Sequence, residues 1–148
     1  MSTELDDLYQ EVILDHNRRP RNFRALDEGR KAEGFNPLCG DHLTVYLRVD
    51  DGVIAEVAFQ GAGCAISKAS ASLMTEGIKG KSVADAARLI ERFQQMVTTQ
   101  SADPVPDLGK LEALAGVRQF PVRVKCATLA WHTLRAALDS PDAVVSTE

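Results

Sequence analysis

Cysteine is scarce in this chain, three in 148 residues, and no two form a CxxC pair. Three thiols cannot all pair internally, which argues against a disulfide framework, and the common zinc-finger spacings are missing too. Positive charge is not in excess. The formal net charge is −4, and no basic stripe of the kind that tracks a phosphate backbone is present. This argues against nucleic acid as a partner. A local cluster of Arg18, Arg19, Arg21 and Arg24 reads as a solvated face or a protein-contact patch. No apolar run approaches the roughly 20 residues that span a bilayer. The N-terminus is acidic and amphipathic rather than signal-like, so no membrane association and a cytoplasmic location, with thiols kept reduced, are expected. Internal repeats and linkers are also lacking. With 45% hydrophobic residues the chain reads as one globular domain, 1–148, with a frayed tail from about 141.

What is present is clear local patterning. Ser2 or Thr3 can cap a first helix, and Leu5, Leu8, Tyr9, Val12 and Ile13 form its apolar stripe. That helix should end near Asn17, ahead of Pro20, with His16 in a structural role in its last turn. Residues 24–36 read as loop with a short edge strand before Phe35. Leu43, Val45, Leu47 and Val49 alternate with polar residues, and Val53, Ala55, Val57 and Phe59 do so after Asp51-Gly52. A two-residue turn would set Leu47 opposite Glu56. A three-residue loop pairs Leu43 with Phe59, Val45 with Val57 and Leu47 with Ala55, so that register is expected. Extended outward, it brings Asp41 to Gly61 and Cys39 to Gly63, beside Cys64.

Cys64 then opens an Ala/Ser-rich helix running to about Gly77, with its thiolate favoured by the helix N-terminus. Ser82 and Asp85 form a capping-box pattern for a helix reaching about Thr98. Leu108, Leu111 and Leu114 suggest one short helix. Residues 120–125 look extended, and a last amphipathic helix is expected from about Cys126 to Ser140, with Trp131 on its buried side.

The chemistry lies in Cys39, Asp41, Cys64 and Cys126. Three thiols and a carboxylate can hold zinc tetrahedrally or serve an iron–sulfur cluster. The alternative is three buried, inert cysteines with Asp41 as a turn residue. The histidines supply no catalytic triad: His42 should point away from Asp41, and His132 reads as structural.

The blocks Asp15-His16 with Pro20-Arg21-Asn22, Pro37-Leu38-Cys39-Gly40-Asp41, Gly61-Ala62-Gly63-Cys64 followed by Ala-Ile-Ser-Lys-Ala-Ser, and Lys125-Cys126 together resemble the IscU/NifU N-terminal family of iron–sulfur assembly proteins. The resemblance implies an α+β fold of the SufE/NifU kind, with a three-stranded antiparallel sheet packed by helices on one side. It also implies Cys39, Asp41, Cys64 and Cys126 as metal or cluster ligands. Within the family, Lys125 stands where the IscU scaffold has histidine, and Gln119-Phe120-Pro121-Val122-Arg123 replaces a Leu-Pro-Pro-Val-Lys motif. Extra chain also separates Cys64 from Cys126. These features resemble the SufU branch, which implies a zinc-dependent sulfurtransferase accepting persulfide sulfur from a SufS-type cysteine desulfurase and passing it to a downstream scaffold or acceptor. The rival readings are a scaffold building a [2Fe-2S] cluster on the same ligands, with iron in place of zinc, and a zinc-stabilised adaptor. Cys39, in a turn bounded by Pro37 and Gly40 where a side chain can swing freely, is the expected sulfur acceptor.

Overall fold

In a computed structural model the described residues are 3–98, 108–140 and 142–147, with side chains from residue 10 onward. The cap expected at Ser2 or Thr3 and the stripe at Leu5, Leu8 and Tyr9 lie outside the described side chains. The elements in order are α1 (Thr3–Arg18), β1 (Arg30–Asn36), β2 (Asp41–Asp50), β3 (Val53–Ala62), α2 (Ala65–Ile78), α3 (Val83–Thr98), a 3-10 segment (Gly109–Gln119), α4 (Pro121–Asp139) and β4 (Val144–Ser146). Among the described residues no helix is long and apolar enough to cross a membrane.

The fold is α+β, as expected, but its sheet has four strands rather than three, in the order β3-β2-β1-β4. The segment expected to be mostly loop supplies an interior strand: β1 pairs antiparallel with β2 along its whole length. Its inward positions are Ala32, Gly34 and Asn36, too small or too polar to show as an apolar alternation. The tail expected to fray from about 141 instead returns to the sheet, where β4 lies parallel to β1.

The hairpin of β2 and β3 forms with a different register from the expected one. Asp51 (φ 51°) and Gly52 (φ 76°) make a two-residue turn with both φ positive, the conformation whose twist suits a tight hairpin. Val49 pairs with Ile54 and Arg48 with Glu56, so Ala55 is an extra residue, a β-bulge. The bulge restores what the two-residue turn alone would spoil. Beyond it Leu47 pairs with Val57 and Val45 with Phe59, all four buried. The ladder continues to His42 opposite Ala62, which carries Asp41 up to Gly63 rather than Gly61.

Helices α2 and α4 cover the inner face of the sheet, and α1 packs on α2. Trp131 of α4 is fully buried and stacks on Phe93 of α3 with ring centroids 4.4 Å apart. Its indole N–H donates to Ser70 Oγ at 3.0 Å, and that hydroxyl donates to the Ala127 carbonyl at 2.6 Å. The indole therefore enters the core with its polar atom paired, and α2 is tied to α4. Ser82 caps α3 as expected, accepting the Asp85 N–H at 3.0 Å. His16, in the last turn of α1, is buried and bonds through Nδ1 to Ser72 Oγ at 2.7 Å, anchoring α1 to α2.

Residues 120–125, expected to be extended, are helical from Pro121 onward. Proline suits the first helical position because its missing N–H would be unpaired there anyway. Cys126 consequently sits in the second turn of α4 rather than at its start.

Candidate metal centre

Four elements converge at one end of the sheet. Cys39 lies in the exposed turn between β1 and β2, its own N–H donating to the Asn36 carbonyl at 3.3 Å. Asp41 opens β2 and is buried. Cys64 is the N-cap of α2, its Sγ accepting the Ser67 N–H at 3.5 Å. Cys126 is fully buried in α4. The ligand atoms of Cys39, Asp41 and Cys126 all lie within 4.8 Å of one another. The Cys126 thiol donates to Cys39 Sγ at 3.1 Å.

The donors suit a thiophilic cation. A tetrahedral zinc with bonds of about 2.0–2.3 Å holds its ligands roughly 3.5–3.8 Å apart, so small adjustments from the present spacing suffice. The Ser67 hydroxyl, fully buried beside Gly63, has no hydrogen-bond partner among the described residues. An orphaned buried hydroxyl is rare in native proteins and marks a place where a polar group or ion is accommodated.

The carboxylate is held on both sides. Asp41 Oδ1 accepts the Cys64 N–H at 2.9 Å, and Oδ2 accepts the Asn36 amide at 3.1 Å. Gly63 makes this possible: a Cβ there would lie 2.7 Å from Asp41 Oδ1 and 3.0 Å from Ser67 Oγ. The thiols are less well served. Burial first, then the hydrogen bond with Cys39 and the proximity of Cys64, push the Cys126 thiol well above its ordinary range. A thiol so reluctant to ionise becomes a thiolate at neutral pH only beside a cation. The exposed Arg123 guanidinium stands at the mouth, held more firmly in its charged form by Cys64, then by Cys126 and Cys39.

Of the four residues singled out in the sequence, the structure groups Cys39, Asp41 and Cys126. Cys64 adjoins them through its backbone bond to Asp41 and its influence on Cys126, while its sulfur caps α2. His42 points away, as expected, stacking on Phe35 at 4.2 Å and meeting Glu33 Oε1 at 3.1 Å. One site residue, Asn36, escaped the sequence reading, and another, Arg123, was named there only within the Gln119–Arg123 stretch. Arg123 is one helical turn before Cys126, a relation visible only once 120–125 is read as helix. Asn36 immediately precedes the Pro37–Asp41 block, and its adjacency was the available signal. The arginine cluster is partly engaged: Arg21 pairs with Asp15 at 2.7 Å, and Arg24 lies 3.4 Å from Glu56. Arg18 and Arg19 are exposed.

Fold and site together define an α+β domain that gathers thiols and a carboxylate at the rim of a mixed sheet. The profile of the NifU-like N terminal domain family matches residues 8–127, and the chain belongs to that family. It is 42% identical over 133 residues to the zinc-dependent sulfurtransferase SufU of Bacillus subtilis, covering 90% of each chain. It is 41% identical over 136 residues to the iron–sulfur cluster assembly scaffold protein IscU of Streptococcus pyogenes, covering 92% of this chain and 86% of that one. The crystal structure of a putative iron–sulfur cluster assembly scaffold protein for the SUF system from Fervidobacterium islandicum superimposes with a TM-score of 0.81 at 34% identity, covering 87% of this chain and 95% of that one.

Proposed function

We propose that this protein is a zinc-dependent sulfur carrier that takes persulfide sulfur from a cysteine desulfurase during iron–sulfur cluster assembly. The observation that carries the proposal is the asymmetry of the thiols. Cys126 is buried and accepts an N–H from Asn36 at 3.3 Å, and Cys64 accepts the Ser67 N–H. Cys39, half-buried like Cys64, lies in an open turn, and among the described residues no N–H donates to its sulfur, which accepts only the Cys126 thiol. N–H···S bonds spread the charge of a thiolate and hold it in place. The Cys126 sulfur is thus held by an amide N–H and the Cys64 sulfur by the α2 cap, and Cys39 is left free to react. Cys39, Asp41, Cys64 and Cys126 are the proposed metal ligands. Cys64 joins the other three by turning its sulfur from the α2 cap.

Zinc bound there supplies the positive charge that keeps the thiols ionised at neutral pH. The Cys39 thiolate attacks the terminal sulfur of the desulfurase persulfide. A new S–S bond forms at Cys39, the donor's S–S bond breaks, and the donor cysteine leaves as a thiolate. The terminal sulfur keeps its proton, and no electrons enter or leave. Arg123 at the mouth stabilises the thiolate charge that passes from Cys39 to the departing donor cysteine. The carrier then yields its sulfur to a downstream scaffold or acceptor.

A second reading has a specific observation behind it. Relatives named as sulfurtransferase and as cluster scaffold match at almost the same identity. A scaffold would assemble a [2Fe-2S] cluster on the same residues. Metal analysis of protein purified without added metal, with its visible spectrum, separates the two. One zinc per colourless chain supports the sulfur carrier, and a brown iron-containing protein supports the scaffold.

A further inference from the structure

Asn36 is a fully buried amide at the end of β1. A neutral polar side chain in such a place is stable only when its hydrogen-bonding groups are paired. Both amide hydrogens have acceptors: Nδ2 donates to Asp41 Oδ2 at 3.1 Å and to Cys126 Sγ at 3.3 Å. On the other side Oδ1 accepts the Thr147 hydroxyl at 3.0 Å. This orientation has no alternative of equal energy. A flipped amide would turn its oxygen toward a carboxylate and a sulfur, acceptor against acceptor.

Thr147 reaches the amide because the C-terminal segment is laced to β1. Its own N–H donates to the Phe35 carbonyl at 3.0 Å, the Glu33 N–H to the Ala143 carbonyl at 3.0 Å, and the Asp142 N–H to the Lys31 carbonyl at 2.7 Å. One continuous chain of bonds therefore runs from the last strand, through Thr147 and Asn36, to two donors of the candidate metal centre, which come from different elements.

We infer that Asn36 is a positioning residue that holds Asp41 and Cys126 in register for one metal ion, and that the C-terminal strand locks it there through Thr147. The inference rests on the reading of Asp41 and Cys126 as metal ligands. It gives the tail a function: loosening β4 frees the amide to rotate and slackens the hold on the metal without removing any ligand.

The test uses the full chain and its variants Asn36→Ala, Thr147→Val and Thr147→Ser. Zinc affinity is measured by competition with a chromophoric chelator. Cobalt(II) is then substituted and the ligand-field and thiolate-to-cobalt bands are recorded. Asn36→Ala should weaken zinc binding about 10–100-fold, the usual effect of removing a partner of a metal ligand. Thr147→Val, which leaves every direct partner of the metal in place, should weaken it about 2–10-fold, the scale of one neutral hydrogen bond. It should also shift the cobalt bands, and Thr147→Ser should restore both. Metal-free melting curves identify a variant that fails to fold. Should Asn36→Ala do so, Thr147→Val, at a half-exposed site, carries the test. Zinc affinity within twofold of wild type and unchanged cobalt bands in the folded variants would overturn the inference. A wild-type chain with no thiolate-to-cobalt band would instead bring down the metal reading, and this inference with it.

Discussion

Replacing Gly63 by alanine probes the packing of the site without replacing a proposed ligand. The new Cβ would sit 2.7 Å from Asp41 Oδ1 and 3.0 Å from Ser67 Oγ, where ordinary contacts begin near 3.4 Å. Both neighbours are buried, and the carboxylate is pinned by the Cys64 N–H and the Asn36 amide, so neither withdraws freely. A retreat of about 0.3–0.7 Å stretches the 2.9 Å bond from Cys64 to the edge of hydrogen-bonding range. Overpacking that leaves the bond in place costs about 1–3 kcal/mol, and a retreat that gives the bond up costs about 1.5–3 kcal/mol instead. A net loss near 2 kcal/mol lowers the melting temperature of a domain this size by roughly 4–8 °C. Zinc affinity should fall by about tenfold, because Asp41 is displaced from its donor position. Gly116→Ala is the control: its Cβ would meet nothing within 4 Å, and its effect should stay within about 0.5 kcal/mol. Calorimetry and chelator competition on both variants decide the matter. A Gly63→Ala protein that melts and binds zinc like wild type would refute the steric argument.

Other expectations concern the metal, the buried histidine and the partner surface. A strong chelator that removes zinc should lower the melting temperature without unfolding the chain, as should Cys126→Ala, and an unchanged curve after verified zinc removal would count against a structural role for the metal. Burial, and then Arg21, hold the His16 imidazole below its ordinary pKa. The folded state therefore binds fewer protons than the unfolded chain below about pH 6.5, and the contribution of neutral His16 is full above that value and lost as pH falls toward the depressed pKa. Thermal melts from pH 8 to pH 5 should show a shallower slope in His16→Asn than in wild type, and identical slopes would contradict this assignment. Charge reversal at Arg18 and Arg19 should weaken desulfurase binding and its salt dependence in a titration at two ionic strengths, and equal affinities throughout would reject a steering role.

The parts of the fold legible in the sequence were those with local signals. Alternation over 43–49 and 53–59 announced the hairpin, and Gly63 followed by Cys64 announced a helix start, since a helix cap is a local event. Three features were hidden for physical reasons. The bulge at Ala55 adds one residue that no periodicity argument counts, so the register was misjudged although the partners were right in kind. Val122 and Val124 made 120–125 read as extended, whereas tertiary packing and Pro121 at the first helical position make it helix. The sheet was under-read where pairing is non-local: β1, expected only as a short edge strand, shows Ala32, Gly34 and Asn36 inward instead of large apolar residues, and β4, expected as frayed tail, is a three-residue strand whose only sheet partner is β1. The site was legible as residue types. What the chain order could not display was the carboxylate bridging Asn36 and the Cys64 amide, which exists only after β1, β2 and α2 meet.

The central claim is that Cys39 receives sulfur at a zinc-holding site, and single-turnover transfer tests it most directly. The zinc-loaded chain is mixed with persulfidated cysteine desulfurase, quenched by alkylation, digested and mapped by mass spectrometry for one added sulfur. The added sulfur should appear on the Cys39 peptide within one turnover, and Cys39→Ser should abolish it while leaving zinc bound. Sulfur found on Cys126 and never on Cys39, with Cys39→Ser accepting it at the wild-type rate, would contradict the account.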